Sequence, residues 1–373
     1  MAIHLSGATV VDYNELPHWH DDDHAAAVAA FARHQKIPVD EVYKRPPTGC
    51  NPDQLIELVS AAARINADKA QNFFEKNFVP VRLDQTKDDA SPDPSSIVTG
   101  FFEPEYQASR MPSKRYSVPV HARPSQLVEA KSAPVGSVPE GYRFAWRHDD
   151  GSMGPAPDRA AIHRGALDGR AEILCWLENP IDAFFMHIQG AARLKLEDGT
   201  MMRVSYAAKT GHPFTAIGGL LVKMGVFGQN EVSMQGIVAW LRDHHDEAQT
   251  MMNRNRSYIF FKETALGDPT LGPFAAAKIQ LTAQRSLAVD MRFHTFATPI
   301  YVHAHNVNGS NFSNLMIAQE TGTAIMGPSR GDIFFGTGEE AGILAGGVVS
   351  PVTFFVLCPK SGYDAYLSSW SGR

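Results

Sequence analysis

The most constraining feature of the sequence is the stretch 316–346, where short apolar runs alternate with Gly and Pro. Its apolar runs are Met316–Ala318, Ala324–Met326 and Ile333–Phe335. Carboxylates stand at the breaks, as Glu320 and Asp332. Gly readily adopts positive φ, and Pro cannot donate a hydrogen bond to a sheet, so these breaks predict tight turns between short strands. The pattern predicts a compact β-barrel with carboxylates at strand ends.

Asp332 has two interpretations. It directly follows Gly331, and Asp is a common turn former, so it fits a turn residue. It also stands beside Phe334 and Phe335. A carboxyl in such surroundings, with a second carboxyl nearby, has its charged form disfavoured and can act as a catalytic acid. The residues alone leave both interpretations open.

The stretch resembles the C-terminal three-aspartate domain of the membrane-bound lytic transglycosylase A family. That family has Asp-Thr-Gly-Gly-Ala-Ile-x-Gly, then Asp at a strand start, then Gly-x-Gly-x-Glu-Ala-Gly and Ala-Gly. The matching segments here are Glu320–Gly327, Asp332, Gly336–Gly342 and Ala345–Gly346. The first family aspartate matches Asp290, and the second acid is Glu320 in place of Asp.

The resemblance implies a role for each acid. Asp332 is the implied catalytic acid and base, and Glu320 and Asp290 are supporting acids. They would raise the pKa of Asp332 through like charge, order its hydrogen bonds or bind the sugar. Gly331 and Gly336, which flank the Asp332 strand, are assigned to substrate binding.

Further blocks between residues 97 and 262 resemble sugar-binding segments of the same family. Ile97–Arg110 resembles the family's Thr-Gly-aromatic-aromatic-x-Pro segment, and 205–212 resembles Ser-Tyr-Ala-Gly-x-x-Gly-His. In Gln189–Ala192 the family's Ser and second Gly are replaced by Ala. The substrate-binding residues implied by these blocks are Thr99, Gly100, Phe101, Gln189, Gly190, Tyr206, Lys209, Gly211, His212 and Gln235. Tyr206 is expected to lie against a pyranose face, and His212, before Pro213, also fits a turn residue.

The N-terminal third favours helices. The segment 18–24, HWHDDDH, has metal-ligand residue types, but Asp22 or Asp23 also suits the N-cap of a helix over 24–34. Helical spacing and Asn51 predict a second helix over 52–63, and a third follows over 67–77. Further along the chain, Asp198-Gly199 predicts a hairpin turn. These N-terminal helices are interpreted as scaffold.

Composition excludes several classes of protein. The net charge of −6 argues against nucleic-acid binding. The three cysteines lack metal-site spacing, although one disulfide is possible in an oxidising compartment. The sequence contains no run of about 18 apolar residues, so it predicts no membrane span. The first residues do not form a signal peptide. Because the family is exported and often lipid-anchored, we expect either a mature periplasmic domain whose leader has been removed or a misplaced start, with any outer-membrane lipid anchor in the full-length precursor.

The resemblance implies a mainly β, α+β protein. It would contain a double-psi β-barrel with N-terminal helices, built from residues 1–102 and 265–373. A second β-rich domain, residues 103–264, would be inserted, with a glycan groove between the two. The implied enzyme is a monomeric lytic transglycosylase that acts in cell-wall turnover. It would cleave the β-1,4 bond between N-acetylmuramic acid and N-acetylglucosamine in peptidoglycan and form 1,6-anhydromuramyl ends, without metal or organic cofactor.

Two alternatives accompany this interpretation. Glu320–Gly322 resembles the Asp-Thr-Gly of aspartic proteases, which need two equivalent loops, and the sequence offers only one. The other alternative is a non-catalytic peptidoglycan-binding wall protein, because one fold can serve several functions.

Overall fold

The computed structural model describes residues 7–37, 43–83, 96–228 and 231–370. The chain divides into two compact units. The discontinuous unit comprises Met1–Phe102, Gly267–Gly336 and Glu340–Arg373. The inserted unit comprises Glu103–Leu266 with Thr337–Glu339.

Strands dominate both units. In chain order the described strands are β1 (Ala8–Val10), β2 (Phe78–Leu83), β3 (Ile97–Glu103), β4 (Glu105–Ser109), β5 (Val118–His121), β6 (Leu127–Glu129), β7 (Phe144–Arg147), β8 (Met153–Gly154), β9 (Ile173–Leu177), β10 (Ala191–Leu196), β11 (Met201–Lys209), β12 (Ile259–Thr264), β13 (Ser286–Val289), β14 (Pro299–Val307), β15 (Ser310–Glu320), β16 (Gly331–Thr337) and β17 (Val349–Pro359).

Helices accompany them. The described α-helices are α1 (His24–Ala32), α2 (Pro52–Ala62), α3 (Ala70–Asn77), α4 (Arg159–His163), α5 (Pro180–Gln189), α6 (Ile217–Lys223), α7 (Met234–Asp243), α8 (His245–Asn253), α9 (Glu339–Gly346) and α10 (Tyr363–Trp370). The mixed, sheet-rich α+β class predicted from the sequence is confirmed. No helix within the described residues is both long and apolar enough to cross a membrane.

The sheet of the discontinuous unit closes on itself. Its order is β1-β2-β17-β14-β15-β13-β16-β3, and β17 also pairs with β3. Six strands, from β17 through β14, β15, β13 and β16 to β3, therefore form a closed ring. The length of β17 makes this possible, because Val349–Pro351 pair with β3 while Phe355–Pro359 pair with β2. Closure leaves the ring without a free edge.

Two details of the 316–346 stretch differ from the sequence prediction. Ala324–Met326, predicted as a strand, lies in a turn closed by a 3.0 Å bond from the amide of Ile325 to the carbonyl of Gly322. The Glu339–Gly346 segment forms helix α9, which the spacing of Gly did not indicate. Gly342 permits close packing there, since a Cβ would lie 2.8 Å from the ring of Phe102.

The acidic residues near the N-terminus serve the fold. Asp23 is the N-cap of α1 and accepts a 2.9 Å bond from the amide of Ala26, as one of the two predicted caps. The side chain of the neighbouring Asp22 is buried and forms a 2.7 Å ion pair with Arg285. It also accepts a 2.7 Å bond from the amide of Leu315 in β15. The segment 18–24 thus attaches the helical region to the sheet.

The inserted unit contains a six-stranded sheet ordered β12-β11-β10-β4-β9-β5 and a three-stranded sheet ordered β6-β7-β8. The β10–β11 hairpin forms as predicted around Asp198, whose carboxylate accepts a 2.9 Å bond from the amide of Thr200. Two short apolar runs of this unit, 172–177 and 183–189, fit either a helix or a strand by sequence, and they lie in strand β9 and helix α5.

A buried ion cluster stands where the chain enters this unit. Glu103 and Arg203 have fully buried side chains, and Nε of Arg203 lies 2.7 Å from Oε1 of Glu103. Arg193 lies 3.4 Å from Oε2, and the hydroxyl of Thr337 donates to the same oxygen at 2.9 Å. Buried charges are tolerated when they are paired and hydrogen-bonded in this way.

Candidate active site

Asp332 is the second residue of β16 and lies opposite Ala288 of β13. The preceding Gly331 fits a crowded position, because a Cβ there would meet the ring of Phe354 at 2.8 Å and the side chain of Leu287 at 3.0 Å. Glycine is therefore needed at this position for packing. The backbone that carries the acid is fixed inside the closed ring.

Thr99 and Asp332, both predicted from sequence, are in contact. The Thr99 hydroxyl donates a 2.6 Å bond to Oδ1 of Asp332. Nη2 of Arg330 donates to the same hydroxyl at 2.8 Å, and Arg330 also donates to the carbonyl of Gly331. A hydroxyl has only one proton, so Thr99 gives it to Asp332 while accepting from Arg330.

The surroundings of Asp332 favour its neutral form. Burial raises its pKa from 3.8 to about 6, against the opposing effects of the Thr99 hydrogen bond and the Arg330 charge. The carboxyl therefore changes protonation state between pH 5 and 7. The sequence analysis expected the charge of Glu320 to raise the pKa of Asp332. Burial raises it instead, since Glu320 is not among the groups that shift this pKa. The like-charge explanation is thus not supported.

Glu320 lies at the matching position on the other side of β13. A bulge in β15 leaves Gln319 without a partner residue in β13 and brings Glu320 opposite Ala288, the residue that also faces Asp332. Two strand spacings separate the acids, which places their Cα atoms about 10 Å apart. The ring thus brings two of the predicted acids to the same level of the sheet.

The Glu320 carboxylate has backbone partners. It accepts bonds from the amides of Thr321 at 2.8 Å and Ala276 at 3.1 Å. Burial raises its pKa to about 7, although these bonds and the charge of Lys278 act in the opposite direction. Glu320 therefore holds the 276 loop and exchanges a proton near neutrality.

Asp290 has a different environment. Its carboxylate forms a fork with Arg292, at 3.0 Å from Nε and 2.5 Å from Nη2, and accepts a 2.8 Å bond from the amide of Gly327. Burial alone would raise its pKa, but the bonds from Arg292 and Gly327 outweigh it and hold the pKa below its usual range. Asp290 is therefore an ionised anchor for the turn around Gly327.

The other predicted residues of the discontinuous unit line the same strands. A Cβ on Gly100 would lie 2.8 Å from the backbone of Ala345, so Gly100 allows α9 to pack on β3. Phe101 is half-buried, and its ring centroid lies 5.2 Å from that of Phe334. Gly336 has φ of 120° near the end of β16, a conformation that favours glycine.

The inserted unit brings two of its predicted residues, Tyr206 and Gly190, into contact. The amide of Tyr206 donates a 2.7 Å bond to the carbonyl of Gly190, which ends α5 in the left-handed conformation after Gln189. Tyr206 is 40% exposed at a bulge in β11, so its ring is available to a ligand. Lys209 is half-buried at the end of β11, and Gln235 is exposed in the first turn of α7.

His212 lies in the interior of the inserted unit. It is 4% exposed, its Nδ1 is 3.0 Å from the hydroxyl of Tyr142, and its Nε2 is 2.7 Å from the carbonyl of Ala156. Gly211, with φ of 92°, makes room for the Tyr142 ring. Both residues therefore contribute to the packing of the inserted unit, and their predicted sugar contacts stay a prediction.

Comparison with known proteins places this geometry in a family. The description "MltA specific insert domain" matches residues 97–262, and the 3D domain matches residues 285–358. A membrane-bound lytic murein transglycosylase from Agrobacterium tumefaciens is 38% identical, with a TM-score of 0.87. The alignment covers 96% of this chain and 99% of that one. The chain belongs to the membrane-bound lytic murein transglycosylase A family.

Other members are more distant. MltA from Neisseria gonorrhoeae is 29% identical, with a TM-score of 0.78. The alignment covers 95% of this chain and 93% of that one. The curated membrane-bound lytic murein transglycosylase A of Vibrio cholerae is 28% identical over 259 residues. That match spans 67% of this chain and 62% of the relative's length.

Within the part of this family member that the structure describes, no cluster of three or more His, Cys, Asp or Glu side chains is arranged for a metal. Sequence reasoning missed Arg330. The only available signal was a basic residue two positions before Asp332, and nothing in the sequence pairs it with Thr99. Ala192, which replaces a family glycine, is fully buried in β10 and fills the core of the inserted unit.

Proposed function

We propose that this chain is a peptidoglycan lytic transglycosylase in which Asp332 is the single acid and base. One observation carries the proposal. A carboxyl with a raised pKa lies in the 3D domain, accepts a hydrogen bond from Thr99 and is near the charge of Arg330, in a family whose curated members are named lytic murein transglycosylases. General acids work best when their pKa lies near the operating pH.

The first step is cleavage of the glycosidic bond. Protonated Asp332 gives its proton to the oxygen that joins N-acetylmuramic acid to N-acetylglucosamine. Positive charge then develops at C1 of the muramyl residue. The hydrogen bond from Thr99 stabilises the carboxylate that forms, and the Arg330 charge acts in the same direction. These contacts therefore help the acid to release its proton.

The second step closes a ring in the substrate. Ionised Asp332 accepts the proton of the muramyl C6 hydroxyl as that oxygen attacks C1, which yields the 1,6-anhydro product and restores the acid. Glycosidases that use water or a covalent nucleophile need two carboxylates. Here the nucleophile belongs to the substrate and has a high effective concentration, so one carboxyl suffices.

The remaining residues support this chemistry. Glu320 positions the 276 loop, and Asp290 positions the Gly327 turn, as their hydrogen bonds favour. In the inserted unit, the exposed ring of Tyr206 is the proposed sugar platform. The double-psi barrel, the sugar groove, the domain limits 1–102 with 265–373 and 103–264, the monomeric state and a periplasmic, membrane-associated location belong to the same proposal.

Digestion of purified murein sacculi tests the reaction. We expect soluble muropeptides that end in 1,6-anhydromuramic acid, identified by mass spectrometry. Reducing ends would show a lysozyme-like hydrolase instead. Binding of the protein to sacculi without release of fragments would favour the alternative, a non-catalytic wall protein.

The pH dependence of the reaction is expected to follow Asp332 and its bond to Thr99. Activity should fall about tenfold per pH unit above pH 6, because the acid must be protonated at the start. The Thr99 bond lowers this pKa, so Thr99→Val should move the fall to higher pH by about one unit. The measurement is kcat/KM for anhydro-product release between pH 4.5 and 8.5.

Two matched variants control this experiment. Thr99→Ser keeps the hydroxyl and should keep the wild-type profile. Glu320→Gln should also leave the fall near pH 6, since Glu320 does not shift the pKa of Asp332. A Thr99→Val profile that coincides with the wild type would contradict the assignment of the titrating group to Asp332.

Tyr206 is expected to contribute contact surface to the glycan. Tyr206→Ala should weaken glycan binding by about 5- to 30-fold, equivalent to about 1–2 kcal/mol, because a half-exposed ring is lost without a change in the core. Titration calorimetry with muropeptides measures the effect. Tyr206→Phe keeps the ring and serves as the control. Equal affinities for all three proteins would make Tyr206 structural.

A further inference from the structure

Cys50 and Cys358 lie side by side in the interior of the discontinuous unit. Their sulfurs are 3.7 Å apart, and the residues are 3% and 1% exposed. Cys50 precedes helix α2, while Cys358 stands near the end of β17, opposite Val79 of β2. The two positions are 308 residues apart in the chain. The fold therefore brings distant cysteines into contact.

The third cysteine is separate from this pair. Cys175 belongs to β9 in the inserted unit, where it is fully buried in an apolar core with Ala108 and Val120. The three cysteines of the chain thus divide into one adjacent pair and one single thiol. This division supplies an internal control for any test of the pair.

We propose that Cys50 and Cys358 form a disulfide when the chain folds in an oxidising compartment. A disulfide has sulfurs 2.03–2.05 Å apart, so the two sulfurs must approach by about 1.7 Å. Side-chain rotation provides a movement of this size. The occurrence of the bond in the cell rests on the exported location in the proposed function, but the chemistry does not.

The bond forms by thiol–disulfide exchange with a partner disulfide, either of an oxidoreductase or of oxidised glutathione. The thiolate of one cysteine attacks the partner disulfide and gives a mixed disulfide, and the second cysteine then displaces the partner. The two cysteines lose two protons and two electrons, and the partner leaves as two thiols. Because both sulfurs are buried in the folded chain, exchange takes place during folding.

The bridge would join the ring to a segment that supports the Asp290 loop. The carbonyl of Cys50 accepts a 2.7 Å bond from the hydroxyl of Thr295. Two residues earlier, the hydroxyl of Thr48 donates to the carbonyl of Phe293 at 3.3 Å. The segment 48–50 thus holds residues that closely follow Asp290, and a bond to Cys358 would fasten this segment to β17.

Thiol counting tests the proposal directly. The full chain is unfolded with reductant, refolded in a glutathione redox buffer, then denatured and alkylated with iodoacetamide. We expect one alkylated cysteine, identified as Cys175, and a crosslinked peptide that contains Cys50 and Cys358. Three alkylated cysteines, or a crosslink that includes Cys175, would overturn the proposal. Three alkylated cysteines would mean that Cys50 and Cys358 are buried thiols that act only as small apolar groups.

Thermal unfolding of the wild type and two variants gives a second measurement. Reduction of the refolded protein should lower the melting temperature by roughly 5–10 °C, because the bridge closes a very long loop in the unfolded chain. Cys175→Ala should show the same decrease, and Cys358→Ala should show none. An equal response to reductant in all three proteins, or no response in the wild type, would overturn the proposal. Neither thiol counting nor thermal unfolding depends on glycan cleavage. Failure of the disulfide proposal is therefore distinguishable from failure of the proposed enzyme activity.

Discussion

Asp332→Asn is expected to reduce anhydro-product release by about 10⁴-fold or more while glycan binding persists. The amide keeps the size and polarity of the side chain but can neither give nor accept the proton. Help from one positioned acid or base is typically about 10²–10⁴-fold, and here one residue serves two proton transfers. Product release and glycan affinity should be measured on the same folded preparation.

The stability of this variant as a function of pH is the folding control. Burial raises the folded-state pKa of Asp332 from 3.8 to about 6, so the wild type loses stability as pH rises through this window. The Asp332→Asn variant has no carboxyl at this position, so it does not lose this stability as pH rises. Its free energy of unfolding at pH 7.5 should exceed that of the wild type by up to about 2–3 kcal/mol, with little difference near pH 4.

Other outcomes for Asp332→Asn have definite meanings. Turnover near the wild-type rate would end the single-acid mechanism and leave Asp332 as a structural residue of β16. Loss of both turnover and binding would indicate a structural role, and the search for the acid would move to Glu320. Asp290 is a poorer candidate, since its bonds to Arg292 and Gly327 keep it ionised.

Glu103→Ala is expected to destabilise the inserted unit by about 3–5 kcal/mol. The substitution removes the negative charge shared by the guanidinium groups of Arg203 and Arg193, and both Glu103 and Arg203 are fully buried. Breaking a buried ion pair by deletion of one partner costs this much because the remaining charge stays out of water. Chemical denaturation followed by circular dichroism measures the change.

The same unit offers a matched surface pair. Arg110 and Glu263 form a 2.9 Å ion pair, but both side chains are 47% exposed. Exposed pairs contribute about 0–1 kcal/mol, so Glu263→Ala should have a small effect. Similar small losses in both variants would show that the buried cluster does not hold the entry to the inserted unit.

Local pattern predicted the elements whose signals are local. The hairpin around Asp198 and the N-cap at Asp23 follow from short motifs, and both form as expected. Ala324–Met326 has an apolar run that suits a strand, yet the amide of Gly327 is bonded to the distant Asp290 instead of to a neighbouring strand. Tertiary contacts of this kind override local preference.

The candidate site depended on the resemblance more than on local pattern. Thr99 and Asp332 are 233 residues apart, and nothing in their own segments indicates that they meet. The role of Arg330 required the geometry, because its bond to the Thr99 hydroxyl has no sequence signature. The interior position of His212 was also beyond the sequence, since a His before Pro fits a turn and a ligand contact equally.

The closed ring also has a consequence for the order in which the chain is made. β3 leaves the ribosome long before β16 and β17, and nearly all of the inserted unit is synthesised between them. Until the last third of the chain is available, Thr99 has no acid to bond and β3 has neither of its ring neighbours. Pairings between distant segments are slow to form. A chain interrupted during synthesis therefore lacks the assembled acid, so the fold itself would delay the proposed cleavage of peptidoglycan until synthesis is nearly complete.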